Sequence, residues 1–225
     1  APAPVADALL TDLTRNSGLL RGSAQEGYFF LHLTIQEFLA ASALARCVNN
    51  DGWDAPVSTA RNAPSVQQFV DKKAWDPQWR EVILLLAGQL RDPAPLLKML
   101  SRRAPTRTNP HGDDYFRHRL ALAAQCLPEI SAPVRAEHVQ LIDRITRRLF
   151  AHWRQQDGDE AVIHVTRALP ALAQVNGRVD GIPLLGWVAQ HLTDKNGHGM
   201  EFLMRQWTGR NSDSRRLAEK AAGAL

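Results

Sequence analysis

Apolar positions change their spacing twice within the first 50 residues. Leu9, Leu10 and Leu13 fall on one helical face over 5–14, and Asn16-Ser17-Gly18 stops that helix. Two β-rich runs follow, at 19–21 and 28–31, with turn formers between Gly22 and Gly27, which is a hairpin pattern. From Thr34 the spacing is helical again, with Ile35, Phe38 and Leu39 on one face. Thr34 and Glu37 read as a T-x-x-E capping box at the start of this helix. Asn49-Asn50-Asp51-Gly52 ends it, so the helix is predicted to run to about Val48.

Residues 49–77 are less regular and carry Pro56, Pro64 and Pro77, with a short helix predicted over 66–73. This stretch reads as a connector rather than a disordered linker, because Trp53, Phe69 and Trp75 require burial. From Gln78 onward amphipathic helices dominate. Val82, Ile83, Leu85, Leu86 and Leu90 mark a helix over 79–90, and Asp92-Pro93 opens one containing Leu96, Leu97 and Leu100. After an arginine- and proline-rich loop over 102–113, a tightly packed helix is predicted over 115–130, shortened or kinked at Pro128. A long helix over 132–153 runs through Val134, Val139, Ile142, Ile145, Leu149 and Trp153. Further helices are predicted over 159–174, 182–192, 199–207 and 212–225. Short joints imply antiparallel pairs. The alanine-rich segments 120–124 and 216–222 look like the inner helices of HEAT-like repeats, where small side chains let neighbours approach closely. The predicted class is mostly α, a hairpin-containing unit followed by a HEAT-like α-solenoid, with an irregular helical bundle as the alternative.

His32 stands at the corner between the second β-run and the helix, beside backbone donors that favour an anion. Around it, Phe30, His32, Thr34, Gln36, Glu37, Phe38, Ala40 and Ala41 match the pattern F-x-H-x-T-F-Q-E-F-x-A-A. Ile35 stands where an aromatic is more common, and Ser17-Gly18-Leu19-Leu20 precedes the match. Over about residues 7–48 the chain resembles the winged-helix end of NACHT-type (STAND) signalling NTPases. Helix, hairpin, helix is the closing half of such a winged helix. The resemblance implies a domain plan of 1–48 for the winged-helix end, 49–77 for the connector and 78–225 for a helical sensor. It also implies ATP or ADP held by a preceding P-loop domain, with His32 contacting the nucleotide phosphate in the resting state.

Composition adds little to this picture. The chain has 225 residues and a mass of 25.0 kDa, with 44% hydrophobic and 22% charged residues, as in ordinary globular proteins. A net charge of +4 permits an acidic or nucleic-acid partner without demanding one. Of the basic clusters only Arg144, Arg147, Arg148 and Arg154 approach a binding stripe, and a solvated helix face accounts for them. Cys47 and Cys126 sit in apolar helical patterns and read as reduced thiols, which points to a cytoplasmic setting. The longest apolar run, 82–87, is too short for a membrane span, and no leader pattern opens the chain. A first residue other than methionine fits a fragment of something longer.

No G-x-x-x-x-G-K-[ST] occurs, so this chain is expected not to be an enzyme and to have no catalytic residues; hydrolysis belongs to the parent protein. Capping explains Glu37 beside Gln36 without catalysis. His111, Asp113, Asp114 and His118 fit no familiar metal-ligand spacing, and a loop followed by an N-cap explains them. Asp157-Gly158-Asp159-Glu160 lacks the later ligands of a calcium loop. His164, His191 and His198 are isolated, and the six tryptophans read as packing anchors. No metal and no cofactor of its own are expected. The predicted function is the non-catalytic regulatory and sensor region of a NACHT-like NTPase. Its expected partners are the upstream NTPase domain and a macromolecular ligand, with oligomerisation on activation and a setting in bacterial antiphage defence. A constitutive protein-interaction scaffold and a nucleic-acid-binding module are the alternatives.

Overall fold

The computed structural model describes residues 8, 12–14, 19–23, 25, 27–104, 112–155, 159–175, 178–179 and 182–183. They are mostly helical, with a small antiparallel hairpin near the start. Strand β1 (Leu20–Ser23) pairs with β2 (Gly27–Phe30), Leu20 opposite Phe30 and Gly22 opposite Tyr28. Gly22 has a positive φ of 121°, and a Cβ there would collide with the Gly27 carbonyl. Only glycine fits that turn.

Helix α1 (Leu33–Asp51) follows directly. It begins one residue before Thr34, with His32 as its extended N-cap, and no side chain caps it. The T-x-x-E capping box is therefore not made: with Thr34 inside the first turn, the Glu37 N–H that its hydroxyl would cap is engaged within the helix. A true capping box occurs one helix later. Ser65 Oγ accepts from Gln68 N at 3.2 Å and Gln68 Oε1 from Ser65 N at 3.2 Å, opening α2 (Val66–Lys73).

A 3-10 turn (Pro77–Trp79) leads into α3 (Arg80–Gln89). Helix α1 lies along α3 and is clamped to it at the far end by Asn49, which donates to Gln89 O at 3.1 Å and accepts from Arg91 N at 3.0 Å. Asp92 accepts from Ala94 N at 2.9 Å and so starts α4 (Ala94–Leu100) from the expected Asp-Pro step.

Helix α5 (His118–Cys126) is the hub, touching α3, α4, α7 and α8. From Arg119 to Cys126 only Gln125 is not fully buried, and Ala121, Ala123 and Ala124 let its neighbours approach. It starts later than 115 and gives way at Leu127–Glu129 to a 3-10 turn holding Pro128, which cannot continue the helix.

The long helix expected over 132–153 is two helices, α6 (Ala132–Glu137) and α7 (Val139–Gln155). The break is at His138, whose Nε2 reaches Asp92 Oδ1 at 3.3 Å and so ties this corner to the start of α4. Helix α8 (Asp159–Gln174) matches its predicted span. Ile182–Pro183 pairs as a strand with Arg178–Val179 instead of opening a helix, and the rest of the 182–192 prediction lies outside the described residues. So do the helices predicted over 199–207 and 212–225, and the alanine-rich segment 216–222. Most of the 5–14 prediction also lies outside them.

One hydrophobic cluster runs from Ala41 and Ala45 on α1 through Val66 and Val70 to Leu169 and Leu172 on α8. Cys126 lies inside it, its Sγ 3.9 Å from Ile83 O, whereas Cys47 on α1 is half-buried. Among the described residues, no helix is long and apolar enough to cross a membrane.

Candidate functional site

The corner between β2 and α1 is where the sequence placed its one nucleotide contact. His32 is exposed there, with φ −115° and ψ 112°. Its carbonyl accepts from Ile35 N at 3.1 Å and Gln36 N at 3.4 Å and closes the first turn. The imidazole takes no part in capping, so the positive end of a 19-residue helix is left facing outward beside it. Tyr28, Phe29, Leu31, Leu33, Phe38 and Leu39 surround this corner in sequence and are all exposed, from 40% to 65%. Glu37, expected to cap the helix, makes no capping bond there. With Gln36 it lines a groove of about 530 Å³ that runs between α1 and the Pro77–Trp79 turn.

A second site is assembled from residues far apart in sequence. Two successive carboxylates cap α5 from upstream: Asp114 Oδ1 accepts from His118 N at 3.1 Å and Asp113 Oδ1 from Arg119 N at 3.0 Å. To bring both into place the chain turns sharply at Arg117, which adopts φ 58°, a left-handed conformation costly for an arginine. The loop-then-cap reading of 113–118 is thus realised, with His111 outside the described residues. Burial holds the Asp113 carboxyl above its ordinary range, although Arg119 N and the Arg117 guanidinium, 3.8 Å away, pull it down.

The same turn fixes the His118 ring, whose Nδ1 makes a short contact to Asp114 Oδ2. From α8, His164 brings its ring centroid to 3.7 Å from that of His118. Burial and the neighbouring His118 and Arg167 lower the pKa of His164, against an opposing pull from Asp114. Trp75 and Phe116 flank His118 at centroid distances of 6.1 and 6.0 Å. The pair borders a groove of about 490 Å³ between residues 74–80, α5 and α8. No local spacing links positions 118 and 164. The visible signal was only that each histidine sits on an alanine- and leucine-rich helix destined for the interior.

The arginine stripe is simpler. Arg144, Arg147 and Arg148 are exposed on α7, opposite the buried Leu141, Ile145 and Leu149, and Arg148 donates to Ser101 O at 3.2 Å. The side chain of Arg154 lies outside the described residues. Compared with protein-family models, with curated proteins and with solved structures, the chain gives no significant match.

Proposed function

We propose that the chain is the non-catalytic regulatory and sensor region of a NACHT-like signal-transduction NTPase. Its first unit, the end of a winged helix, docks onto an upstream ATPase domain and offers His32 to the phosphate of bound ADP or ATP. The helices that follow form a HEAT-like array that recognises a macromolecular ligand, whose binding releases the closed form and allows oligomerisation. Bacterial antiphage defence in the cytoplasm is the setting that the resemblance brings with it.

The observation that carries this reading is the exposed His32 within a segment whose large apolar side chains are also exposed. An imidazole meant only to fill a core has no reason to stand there, and a surface so apolar is best explained by a docked neighbour. In the full-length parent, His32→Ala removes a hydrogen bond to a charged group. ADP retention is expected to fall about tenfold or more and basal signalling to rise. Retention and signalling equal to those of the unaltered parent would return the chain to its alternative, a constitutive scaffold. An upstream Walker motif separates the same two readings.

A further inference from the structure

We infer that the groove between residues 74–80, α5 and α8 is a binding pocket for a small aromatic anion, a flat ring bearing a phosphate or carboxylate that Arg167 and His164 hold at one end. The inference is independent of the NTPase reading and concerns a different part of the molecule.

Size is the first argument. The groove encloses about 490 Å³, within the range of small-molecule sites, and Ala74, Trp75, Ala121 and Leu122 give it an apolar lining. Trp75 is 38% exposed and is backed by the buried Arg119 guanidinium, 6.0 Å from its ring. An indole fixed in this way offers a planar guest a stacking surface at little entropic cost.

Charge is the second. Both acids near the groove are already engaged. Asp76 accepts from Lys73 Nζ at 3.0 Å and from Gln78 N at 3.1 Å, and Asp114 is held by His118. On the same wall Arg80 is occupied by Gln125 Oε1 at 2.9 Å and by Glu81 at 3.4 Å. Arg167 is exposed and makes no hydrogen bond or ion pair with any described residue. Its guanidinium is therefore available beside His164, in a groove whose carboxylates already have partners. That arrangement selects a negative head group and an apolar body.

The third argument is the imidazole pair. Burial, His118 and Arg167 all press His164 toward its neutral form. Asp114 opposes them, and Asp76 and Arg80 face the groove from the other wall. An anion placed against His164 offsets that pressure, so binding and protonation strengthen each other.

The test is isothermal titration of the purified chain with 1-naphthyl phosphate and 1-naphthoate, using 1-naphthol and inorganic phosphate as controls, at about pH 6 and about pH 8. One or both aryl anions are expected to bind saturably at one site, more tightly at the lower pH, with the stronger arm identifying the head group. Arg167→Gln, a change at an exposed position, is expected to weaken binding about tenfold. His164→Gln should remove the pH difference seen with 1-naphthoate, whose own charge is constant between the two pH values, and Arg46→Gln, on α1 outside the groove, should change neither. The proposal is overturned by no binding of either aryl anion at millimolar concentration. Equal binding of 1-naphthol, or wild-type affinity in Arg167→Gln, overturns it as well.

Discussion

Arg119 is completely buried and Asp71 nearly so, and their side chains meet across 48 positions of sequence. The guanidinium also donates to Met99 O at 3.2 Å, so a single arginine joins α2, the end of α4 and α5. Removing one partner takes the opposite charge away from the other in the interior. Asp71→Ala is expected to destabilise the chain by roughly 3–5 kcal/mol in urea unfolding. Replacing both residues by apolar ones of similar volume should recover much of that loss. The pair was hard to see in the sequence, where Asp71 looks like the surface of a short helix with Lys72 and Lys73. The clue is positional, since Asp71 follows the buried Val66 and Val70 on one face. The place of His32 between strand and helix was legible because those elements are contiguous. His118 and His164 were not, because their meeting depends on how α5 and α8 pack.

The titration of His164 also belongs at this scale. Its folded-state pKa lies below the ordinary 6.5, so between those two values the unfolded chain binds the proton more readily. The stability that this site contributes is complete above pH 6.5 and is lost as pH falls through the folded value. His164→Gln should flatten this part of a plot of denaturation midpoint against pH. Asp113 acts in the opposite sense at lower pH. Its pKa is raised from 3.8, so its share of stability grows as pH falls through the raised value.

Among the elements, α3 and the 3-10 turn at Leu127–Glu129 meet at a glycine. A Cβ on Gly88 would stand 2.8 Å from Glu129 O, a backbone atom that cannot swing aside. Gly88→Ala is expected to destabilise by roughly 1–3 kcal/mol, read from thermal or urea unfolding. Helices with strong periodicity and clear punctuation, such as α2 and α8, were legible to the residue. Departures arose where a tertiary contact outweighed local preference. The predicted long helix is broken at His138, which reaches Asp92, and Asp113 and Asp114 set the start of α5. At α1 the capping pattern was present, but the helix began one residue too early to use it.

Taken whole, the molecule has an interior that is continuous from α1 to α8 and a contrasting end at the hairpin. The predominance of helix and the position of the small antiparallel sheet followed from periodicity. What periodicity does not reveal is which apolar face stays uncovered, because Phe38 and Leu39 have the same spacing as residues that are buried. Since Phe38 is 51% exposed, Phe38→Ser should shift unfolding by less than about 0.5 kcal/mol. If the chain is the regulatory region proposed above, the same change is expected to loosen the closed form of the parent, seen as faster ADP release. A large loss of stability in the isolated chain would place Phe38 in the core instead.

The two thiols differ enough to be useful. Cys126 is sealed in the interior, and burial drives its pKa far above the usual thiol range, so alkylating reagents have no thiolate to attack. Cys47 remains half-accessible on the same helix that begins beside His32. A maleimide fluorophore or spin label should therefore modify the wild-type chain at one position without any engineering. Such a probe would report directly whether α1 shifts when a candidate nucleotide or partner is added.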